Sequence, residues 1–595
     1  MVGPRHVPDR RATTAGLTAL ALAAAGAARA DGPTLAFEGI ALPTTVEAKL
    51  GFTTSARATV NGRSVPIGFV PLLRPGDVVA GTTFGQMLDP AGRPMTEKDG
   101  RPAVCNAAEF TSLLEVGGKI FMVSQFECTP GVVYVTEMAQ DVAGGALRPV
   151  ATKPIDLGPL GGGSRHCAGM RTPWNTHLAS EEILIDAASI RPDGSSDDLG
   201  WRLMSPWIGK DRANPYHWGW LPEITITDAS GTAVAAKRYA IGRLQYEMGY
   251  VLPDERTVLL AEDNTNSPLA LFVADRPRDL SAGRLYAARW RQTSGEGAGT
   301  ADLDWIDLGH ATEAGIGAHV HGGTRFDQLF EKAAPEAGGG CPAGFGSINA
   351  QFGRECLRLR PGMEVVASRL ETGRYAALRG ATTELSKVEG VTFDPERNRL
   401  YLAVASIKHG MTDDDATRDA GGRNDVRLAA NPCGAVYALE VGRDAKDDEG
   451  RPIDSAYVPA RIAGLVVGKP TRYDDPALAP NTCDVAGIAG PDNLAHLPGT
   501  GTLIIAEDST EHEIDMLWAL NLADGGLTRI QSSPYSSEQT GIHWYTINGW
   551  TYLTSVIMYP LHDPNDVPEP ARAAVTPDMR RSHVGVIGPF PAPTR

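Results

Sequence analysis

The sequence predicts an all-β protein with the architecture of a β-propeller. Short runs rich in β-branched and aromatic residues alternate with Gly, Pro, Asp and Asn, and no long amphipathic helical pattern occurs after Pro33. Three segments also repeat one plan, in which an acidic residue precedes an apolar run, a turn and a second apolar strand. Many short strands combined with a weak internal repeat favour a propeller over an array of sandwiches.

Individual elements follow from local patterns. Two irregular stretches, residues 334–354 and 408–432, are predicted to be long surface loops because they are rich in Gly or Asp and lack a sustained apolar pattern. The clearest strand patterns occupy residues 119–123, 132–136, 256–260, 399–404 and 502–506.

The repeated plan places acids at equivalent positions. Its three copies begin around Glu247, Glu389 and Asp492. Equivalent strand ends of successive propeller blades meet at one mouth of the central channel, so these acids could point at a single site. The alternative is a set of exposed hairpins with solvated acids beside their turns.

Composition narrows the function classes. The 595 residues include 71 acidic and 55 basic side chains, a formal net charge of −16, and 42% are hydrophobic. The hydrophobic fraction is high enough to exclude global disorder. The excess of acidic side chains argues against a nucleic-acid partner, which would require a basic surface. It is compatible with a protein that collects hard cations on carboxylates.

Residues 1–30 are predicted to be an export signal, followed by a single domain over residues 31–595. A basic start precedes a short apolar run and the small-residue sequence Ala28-Arg29-Ala30. Arg10-Arg11 suggests the twin-arginine export machinery, and an ordinary secretory signal is the alternative. No later stretch has eighteen consecutive apolar residues, so no integral membrane segment is expected after signal removal, and the protein is expected to be periplasmic or secreted.

The chain has seven cysteines, and in an exported protein even numbers of them usually pair. Two pairs are close enough in sequence to form locally and a third is possible, although the sequence does not fix the connectivity. One thiol must remain, and Cys167 is the best candidate because of its surroundings. The pairs considered are Cys105 with Cys128, Cys341 with Cys356, and Cys433 with Cys483.

Cys167 precedes Gly169, Pro173, Trp174 and the pair Glu181-Glu182. A thiolate is a soft ligand for a transition metal, and neighbouring carboxylates suit Ca²⁺ or Fe³⁺. The alternative is a buried free thiol that behaves as a small hydrophobe. The segment is therefore a candidate metal site.

At this segment the chain resembles the PhoX-type alkaline phosphatase family of exported bacterial enzymes, and the resemblance covers nearly the whole predicted mature chain in order. The most specific matches are Cys167-Ala168-Gly169, Thr172-Pro173-Trp174 and Ser180-Glu181-Glu182. Further matches are Phe110-Thr111-Ser112-Leu113, Asn214-Pro215-Tyr216-His217, Gly242-Arg243, Asp279-Leu280-Ser281-Ala282-Gly283, Val388-Glu389 and Asp492-Asn493-Leu494.

The resemblance implies a six-bladed β-propeller with long inserted loops and a mixed Fe³⁺ and Ca²⁺ cluster at the channel mouth. It implies hydrolysis of small-molecule phosphate monoesters by a metal-bound oxo or hydroxo nucleophile, which needs no activated serine. By position, Cys167 matches the cysteine ligand, and Glu247 and Glu389 match glutamates of the cluster. The weaker assignments to the metal shell are Glu182, Asp263 and Asp492.

Several positions depart from the family pattern. Tyr246 stands where a histidine is usual, and Glu262-Asp263 replaces a pair of aspartates. Lys387 replaces an arginine that the resemblance assigns to phosphate, which makes Lys387 the candidate catalytic residue but removes bidentate hydrogen bonding. Met558-Tyr559 replaces an expected Gln-His pair. These departures suggest a divergent branch.

Two other functions stay open at this point. One is a calcium-dependent propeller hydrolase of another ester class, such as a lactonase or phosphotriesterase, which would need no thiolate. The other is a non-catalytic, calcium-stabilised binding propeller, which the loss of the family histidine and arginine supports. The response to replacing Cys167 by serine distinguishes the first of these from a thiolate-dependent phosphatase.

Overall fold

A computed structural model describes residues 34–593 apart from Lys210, Gly338 and Asp414. The predicted export signal, residues 1–30, lies outside the described residues. No helix in the described part is long and apolar enough to cross a membrane.

The described chain is built mainly from antiparallel β-strands, as the sequence predicts. The N-terminal strands are β1 (Leu35–Phe37), β2 (Thr53–Thr54), β3 (Arg57–Val60), β4 (Arg63–Pro66), β5 (Phe69–Leu73), β6 (Val78–Val79) and β7 (Thr82–Thr83). The next are β8 (Ala108–Val116), β9 (Lys119–Phe126), β10 (Val132–Gln140), β11 (Leu147–Pro154), β12 (Met170–Arg171), β13 (His177–Leu178), β14 (Pro222–Ile226) and β15 (Ala233–Lys237).

The central part follows with longer strands. These are β16 (Tyr246–Val251), β17 (Thr257–Glu262), β18 (Thr265–Pro268), β19 (Ala270–Arg276), β20 (Asp279–Ser294), β21 (Thr300–Thr312), β22 (Phe330–Ala333), β23 (Gly346–Ala350), β24 (Gly353–Leu359) and β25 (Thr383–Ser386). The C-terminal strands are β26 (Val388–Asp394), β27 (Arg399–Val404), β28 (Ala435–Gly442), β29 (Val458–Val467), β30 (Pro491–Leu497), β31 (Thr502–Glu507), β32 (Ile514–Asn521), β33 (Leu527–Tyr535), β34 (Glu538–Ile547), β35 (Trp550–Met558) and β36 (His583–Pro591).

Helices are short throughout the described residues. They are α1 (Val46–Lys49), α2 (Leu199–Ile208), α3 (Glu313–His321), α4 (Phe326–Leu329), α5 (Glu364–Leu370) and α6 (Thr372–Arg379).

Most strands pair with their sequence neighbours. The sheets β8–β11 and β12–β15 follow chain order, and β30–β33 does so with β2 added at its edge. A nine-stranded sheet has the order β16-β17-β19-β20-β21-β29-β28-β27-β26, so β21 joins two meanders. Strand β5 from the N-terminal region completes the sheet β34-β35-β36.

The first strands of these meanders follow one another in space. Strand β8 contacts β12, β12 contacts β16, β16 contacts β26, β26 contacts β30, β30 contacts β34, and β34 returns to β8. The arrangement is therefore propeller-like, with its innermost strands in a closed cycle. Strand β5 ties the N-terminal region to the last sheet and so helps to close this cycle.

Strand β27 shows how the sheets pack. Its residues alternate between two hydrophobic cores, with Leu400 and Leu402 on one face and Tyr401 and Ala403 on the other. Because successive side chains of a strand point to opposite faces, a sheet covered on both faces needs apolar residues at every position. This explains the continuous apolar run that predicts the strand.

The predictions from local patterns are largely confirmed. The five predicted strand segments fall in β9, β10, β17, β27 and β31, and the repeated plan corresponds to the hairpins β16–β17, β26–β27 and β30–β31. The stretch 334–354 is not entirely a loop, because it contains β23 and the start of β24. Pairing of β23 with β24 buries Ile348 and Asn349 and so stabilises strands that the Gly-rich sequence does not predict.

All three proposed cysteine pairs are disulfides in the structure, and Cys167 is the free thiol. Cys167 is buried. The parity argument from the sequence is confirmed.

Candidate metal centre

Irregular pairing of the innermost strands aims acidic side chains at a common point. The register shifts between Tyr246 and Met248 in β16, between Val388 and Val391 in β26, and between Pro491 and Leu494 in β30. Strands β8 and β34 carry comparable irregularities. A bulge bends its strand and redirects side chains, and each of these bulges lies beside an acidic, amide or hydroxyl residue of the site.

Cys167 and five acidic side chains form overlapping groups of candidate ligands. Within each group the ligand atoms lie within 4.8 Å of one another. The Cys167 thiol donates to Glu247 Oε2 at 3.0 Å. Glu538 at the start of β34 extends the cluster. The groups are Glu109, Cys167 and Glu247; Glu247, Glu389 and Asp492; and Glu109, Asp492 and Glu538.

Asn493 and Thr540 hold the acids in place. The Asn493 amide donates to Asp492 Oδ1 at 2.9 Å and to Glu247 Oε1 at 3.3 Å. Its carbonyl oxygen accepts from Gly541 N at 2.9 Å and lies 3.1 Å from the Thr540 hydroxyl, whose single proton is shared between this oxygen and Glu109 Oε1. Neutral donors therefore orient the carboxylates without cancelling their charge.

The donors around the site do not offset the cost of burying ionised acids. Glu109, Glu247, Glu389 and Asp492 are each at most 3% exposed. Burial, reinforced by the neighbouring carboxylates, raises the pKa of Glu247 and Glu389 well above the ordinary value and that of Asp492 to about 8. Glu109 Oε2 and Asp492 Oδ2 have no hydrogen-bond partner among the described residues. Such a set fits a cation, which would supply the missing partner.

Cys167 is fixed by its backbone. Its N–H donates to Ser180 Oγ at 3.1 Å, and Gln125 Nε2 donates to the carbonyl oxygens of Cys167 and Ala168. Burial and the adjacent Glu247 raise the pKa of the thiol well above its usual value. The group is therefore a neutral thiol unless a cation stabilises the thiolate, so its position suits a metal ligand rather than a free nucleophile.

Glu182, Asp263 and Lys387 lie beside this core rather than in its closest groups. Lys387 Nζ is 3.3 Å from Glu389 Oε1 and 3.5 Å from Asp263 Oδ2. Glu182 Oε1 accepts from Gln245 Nε2 at 2.9 Å. Attraction to Glu389 raises the pKa of Lys387 well above its ordinary value, so its ammonium stays charged.

The residues that depart from the family pattern have structural partners. The Tyr246 hydroxyl donates to Gly242 O at 2.8 Å and therefore does not point at the cluster. Glu262 accepts from Gln351 Nε2 at 2.9 Å, and burial raises its pKa to about 8. The Tyr559 hydroxyl donates to Glu127 Oε2 at 3.3 Å, so Tyr559 supports an acid beside the site.

The sequence did not single out Glu109, Glu538, Thr540 or Arg165. Glu109 directly precedes Phe110-Thr111, which the resemblance includes, so its position on β8 could have been found from that match. Glu538 and Thr540 carry no motif, and only the contact between β34 and β8 brings them to the cluster. His177, ten residues after Cys167, is structural, since its ring nitrogens form hydrogen bonds with Ser112 Oγ and Gln125 Oε1.

Gly390 is expected to be essential for the geometry of the cluster. A Cβ at this position would lie 2.5 Å from Asp492 O and 2.6 Å from Leu494 N, so Gly390→Ala must separate β26 from β30 where they carry Glu389 and Asp492. We expect metal affinity to fall on the order of 10- to 100-fold, as when groups that orient a ligand are lost, while the secondary structure is retained. Metal titration and circular dichroism measure the two quantities.

Gly442→Ala is the matched control, because open space surrounds a Cβ at this end of β28. Metal affinity of Gly390→Ala equal to that of Gly442→Ala would show that the β26–β30 spacing does not set the site.

Comparison with known proteins agrees with the architecture. Pseudomonas fluorescens PhoX, solved in complex with vanadate, a transition state analogue, aligns over 93% of this chain and 98% of its own. The identity is 15% and the TM-score 0.58, which shows a shared fold. A putative 6-phosphogluconolactonase from Bacteroides uniformis aligns over 84% of this chain and 95% of its own, at 11% identity and a TM-score of 0.28. A likeness this weak supports no argument.

No curated protein matches the chain. The family model described as alkaline phosphatase PhoX matches residues 150–534. This match includes Cys167, Glu247, Glu389 and Asp492 and spans more than half of the sequence. The chain therefore belongs to the alkaline phosphatase PhoX family and is a phosphoric monoester hydrolase.

Proposed function

We propose that the protein is a six-bladed propeller that hydrolyses phosphate monoesters at a metal centre in one mouth of its channel. The blades would begin at β8, β12, β16, β26, β30 and β34, whose closed cycle of contacts supports this number. The nine-stranded sheet would then comprise two blades joined by β21.

The observation that carries the proposal is the buried convergence of one thiol and several carboxylates. Cys167 and Glu247 would hold a transition metal, with Fe³⁺ as the proposed ion, because a thiolate beside a carboxylate suits a metal softer than calcium. Glu389, Asp492, Glu109 and Glu538 offer only oxygen ligands and suit Ca²⁺. Glu182 and Asp263 are proposed to complete the shell.

The bound cations would neutralise phosphate charge and lower the pKa of water at the centre. The chain itself buries the acids, orients them through Asn493 and Thr540, and places the Lys387 ammonium beside Glu389. Lys387 is proposed to contact the non-bridging oxygens of the substrate as a point charge. No serine nucleophile is required.

We propose that the mature protein is a single domain over residues 31–595 that is exported to the periplasm or beyond the cell. Three disulfides support an oxidising compartment, because such bonds persist there and are rare in the cytosol. The basic and apolar pattern of residues 1–30 supports export by the twin-arginine or the general machinery.

The decisive experiment combines turnover with elemental analysis. Protein purified from its native compartment is expected to contain iron and calcium and to hydrolyse p-nitrophenyl phosphate at alkaline pH. It should lose this activity when a calcium-selective chelator removes Ca²⁺ while the iron stays bound, and recover it when Ca²⁺ is returned. Bis-p-nitrophenyl phosphate, a phosphotriester and a lactone serve as comparison substrates. Faster turnover of a triester or lactone than of the monoester, or protein that is active without iron, would contradict the proposal.

A further inference from the structure

Two cationic side chains form ion pairs with the carboxylates around the metal centre. Lys387 pairs with Glu389, Asp263 and, at 3.9 Å, Asp508. Arg165 pairs with Glu182 through Nη2 at 3.3 Å. The candidate ligands are buried, whereas the side chains of Lys387 and Arg165 are 37% and 43% exposed. The two cationic groups therefore lie on the solvent side of the buried carboxylates.

The main chain holds Arg165 firmly. Its φ of 49° is a left-handed conformation, which is uncommon for a residue other than glycine. The Arg165 N–H donates to Cys128 O at 2.7 Å, and Arg165 O accepts from Glu182 N at 2.8 Å. Arg165 is also two residues before Cys167, so its backbone position is tied to that of the thiol. A strained residue that the surroundings fix in this way is typical of a functional position.

One side of the Arg165 guanidinium remains free. Nε and Nη2 donate to Glu127 Oε1 at 3.1 and 2.7 Å, and Nη2 also faces Glu182 Oε2. Nη1 has no hydrogen-bond partner among the described residues. A guanidinium carries five N–H donors, and these acids occupy only part of them. The remaining donors of a partly exposed group are available to a ligand.

We propose that Arg165 is a substrate-binding residue, which holds the phosphoryl group of the monoester together with Lys387 above the buried acids. This inference rests on the proposed function. A phosphate monoester carries its charge on three non-bridging oxygens, and the free Nη1–H donors of the Arg165 guanidinium can give these oxygens directed, charge-assisted hydrogen bonds. Lys387 offers a point charge without this directionality. Arg165 therefore supplies the directional contact and Lys387 adds charge.

The competing role for Arg165 is purely structural. The guanidinium would then only position Glu127 and Glu182, and its loss would loosen the acids and lower metal content. A substrate-binding role instead changes phosphate affinity while the metal content stays constant. Measurements of ligand binding and of bound metal therefore separate the two roles.

The experiment uses metal-loaded full-length protein and inorganic phosphate as the probe. Isothermal titration is expected to show that Arg165→Lys weakens phosphate binding about 10-fold and Arg165→Met about 100-fold, since charge-assisted hydrogen bonds are lost. Metal content by elemental analysis should match that of the wild type. Arg148→Lys, at an exposed position on β11, is the matched control and should bind phosphate like the wild type.

Two results would overturn the inference. One is unchanged phosphate affinity in Arg165→Met, and the other is a loss of affinity that follows a loss of metal in Arg165→Lys. Failure of the proposed function has a different signature, because wild-type protein would then bind phosphate or metal without hydrolysing p-nitrophenyl phosphate. Vanadate, titrated in parallel, is expected to show the same order of affinities among the variants.

Discussion

Replacement of Cys167 by serine is expected to abolish phosphomonoesterase activity and transition-metal binding together. The thiol contacts Glu247 Oε2 at 3.0 Å inside a group of buried acids, so a metal held there depends on a thiolate that a hydroxyl cannot replace at ordinary pH. We expect a fall in kcat/KM on the order of 100-fold or more, because removing a direct ligand should exceed the usual loss for a group that only orients one. Iron per protein should fall with it.

Calcium binding provides an internal control for this variant. Glu389, Asp492 and Glu538 do not share a ligand group with the Cys167 thiol. Cys167→Ser should therefore still bind calcium through these carboxylates, and added calcium should still raise its melting temperature. A second control removes the Cys341–Cys356 disulfide, which belongs to the inserted sheet β22-β24-β23. Full activity in Cys167→Ser would favour a calcium-only hydrolase and exclude the thiolate-dependent centre.

The sequence predicts the parts of the site that recur along the chain. Glu247, Glu389 and Asp492 repeat because each begins the first strand of a meander, and a weak repeat in one sequence is enough to place them near one another. Cys167 follows from the parity of the cysteines and from its motif. These features depend on local sequence, and the structure brings Cys167, Glu247, Glu389 and Asp492 together.

Long-range contacts set the rest and leave little local signal. Glu109 joins Asp492 and Glu538 only because β34 returns to β8 when the cycle of strands closes. The insertion between β21 and β26 also depends on contacts that the sequence does not reveal. Arg374 is buried against Glu355 and Glu371, although each of these residue types is usually found on the surface. Charges that neutralise one another across a fold leave no apolar period in the sequence.

Metal-free protein is expected to lose stability as the pH rises from about 4 to about 8. The folded-state pKa values of Glu109, Glu247 and Glu389 lie well above the ordinary carboxyl value, and that of Asp492 is about 8. Each group therefore contributes stability that is complete below its unfolded-state pKa and is lost as the pH rises through its folded-state pKa. The lost free energy of unfolding should reach several kcal/mol, since one pKa unit corresponds to about 1.4 kcal/mol.

Urea unfolding of chelated protein at pH 5 and pH 8 measures this loss. Bound cations pair with the ionised carboxylates, so metal-loaded protein should show no comparable fall between the two values. Glu109→Gln removes one of the buried charges and should make chelated protein more stable at pH 8 than the wild type, while weakening its response to metal. Glu115→Gln changes an exposed residue of the same strand and should alter neither quantity. If chelated wild-type protein is equally stable at both pH values, these acids do not have raised pKa values in the folded state. The requirement for a cation, which we infer from their burial, would then be wrong.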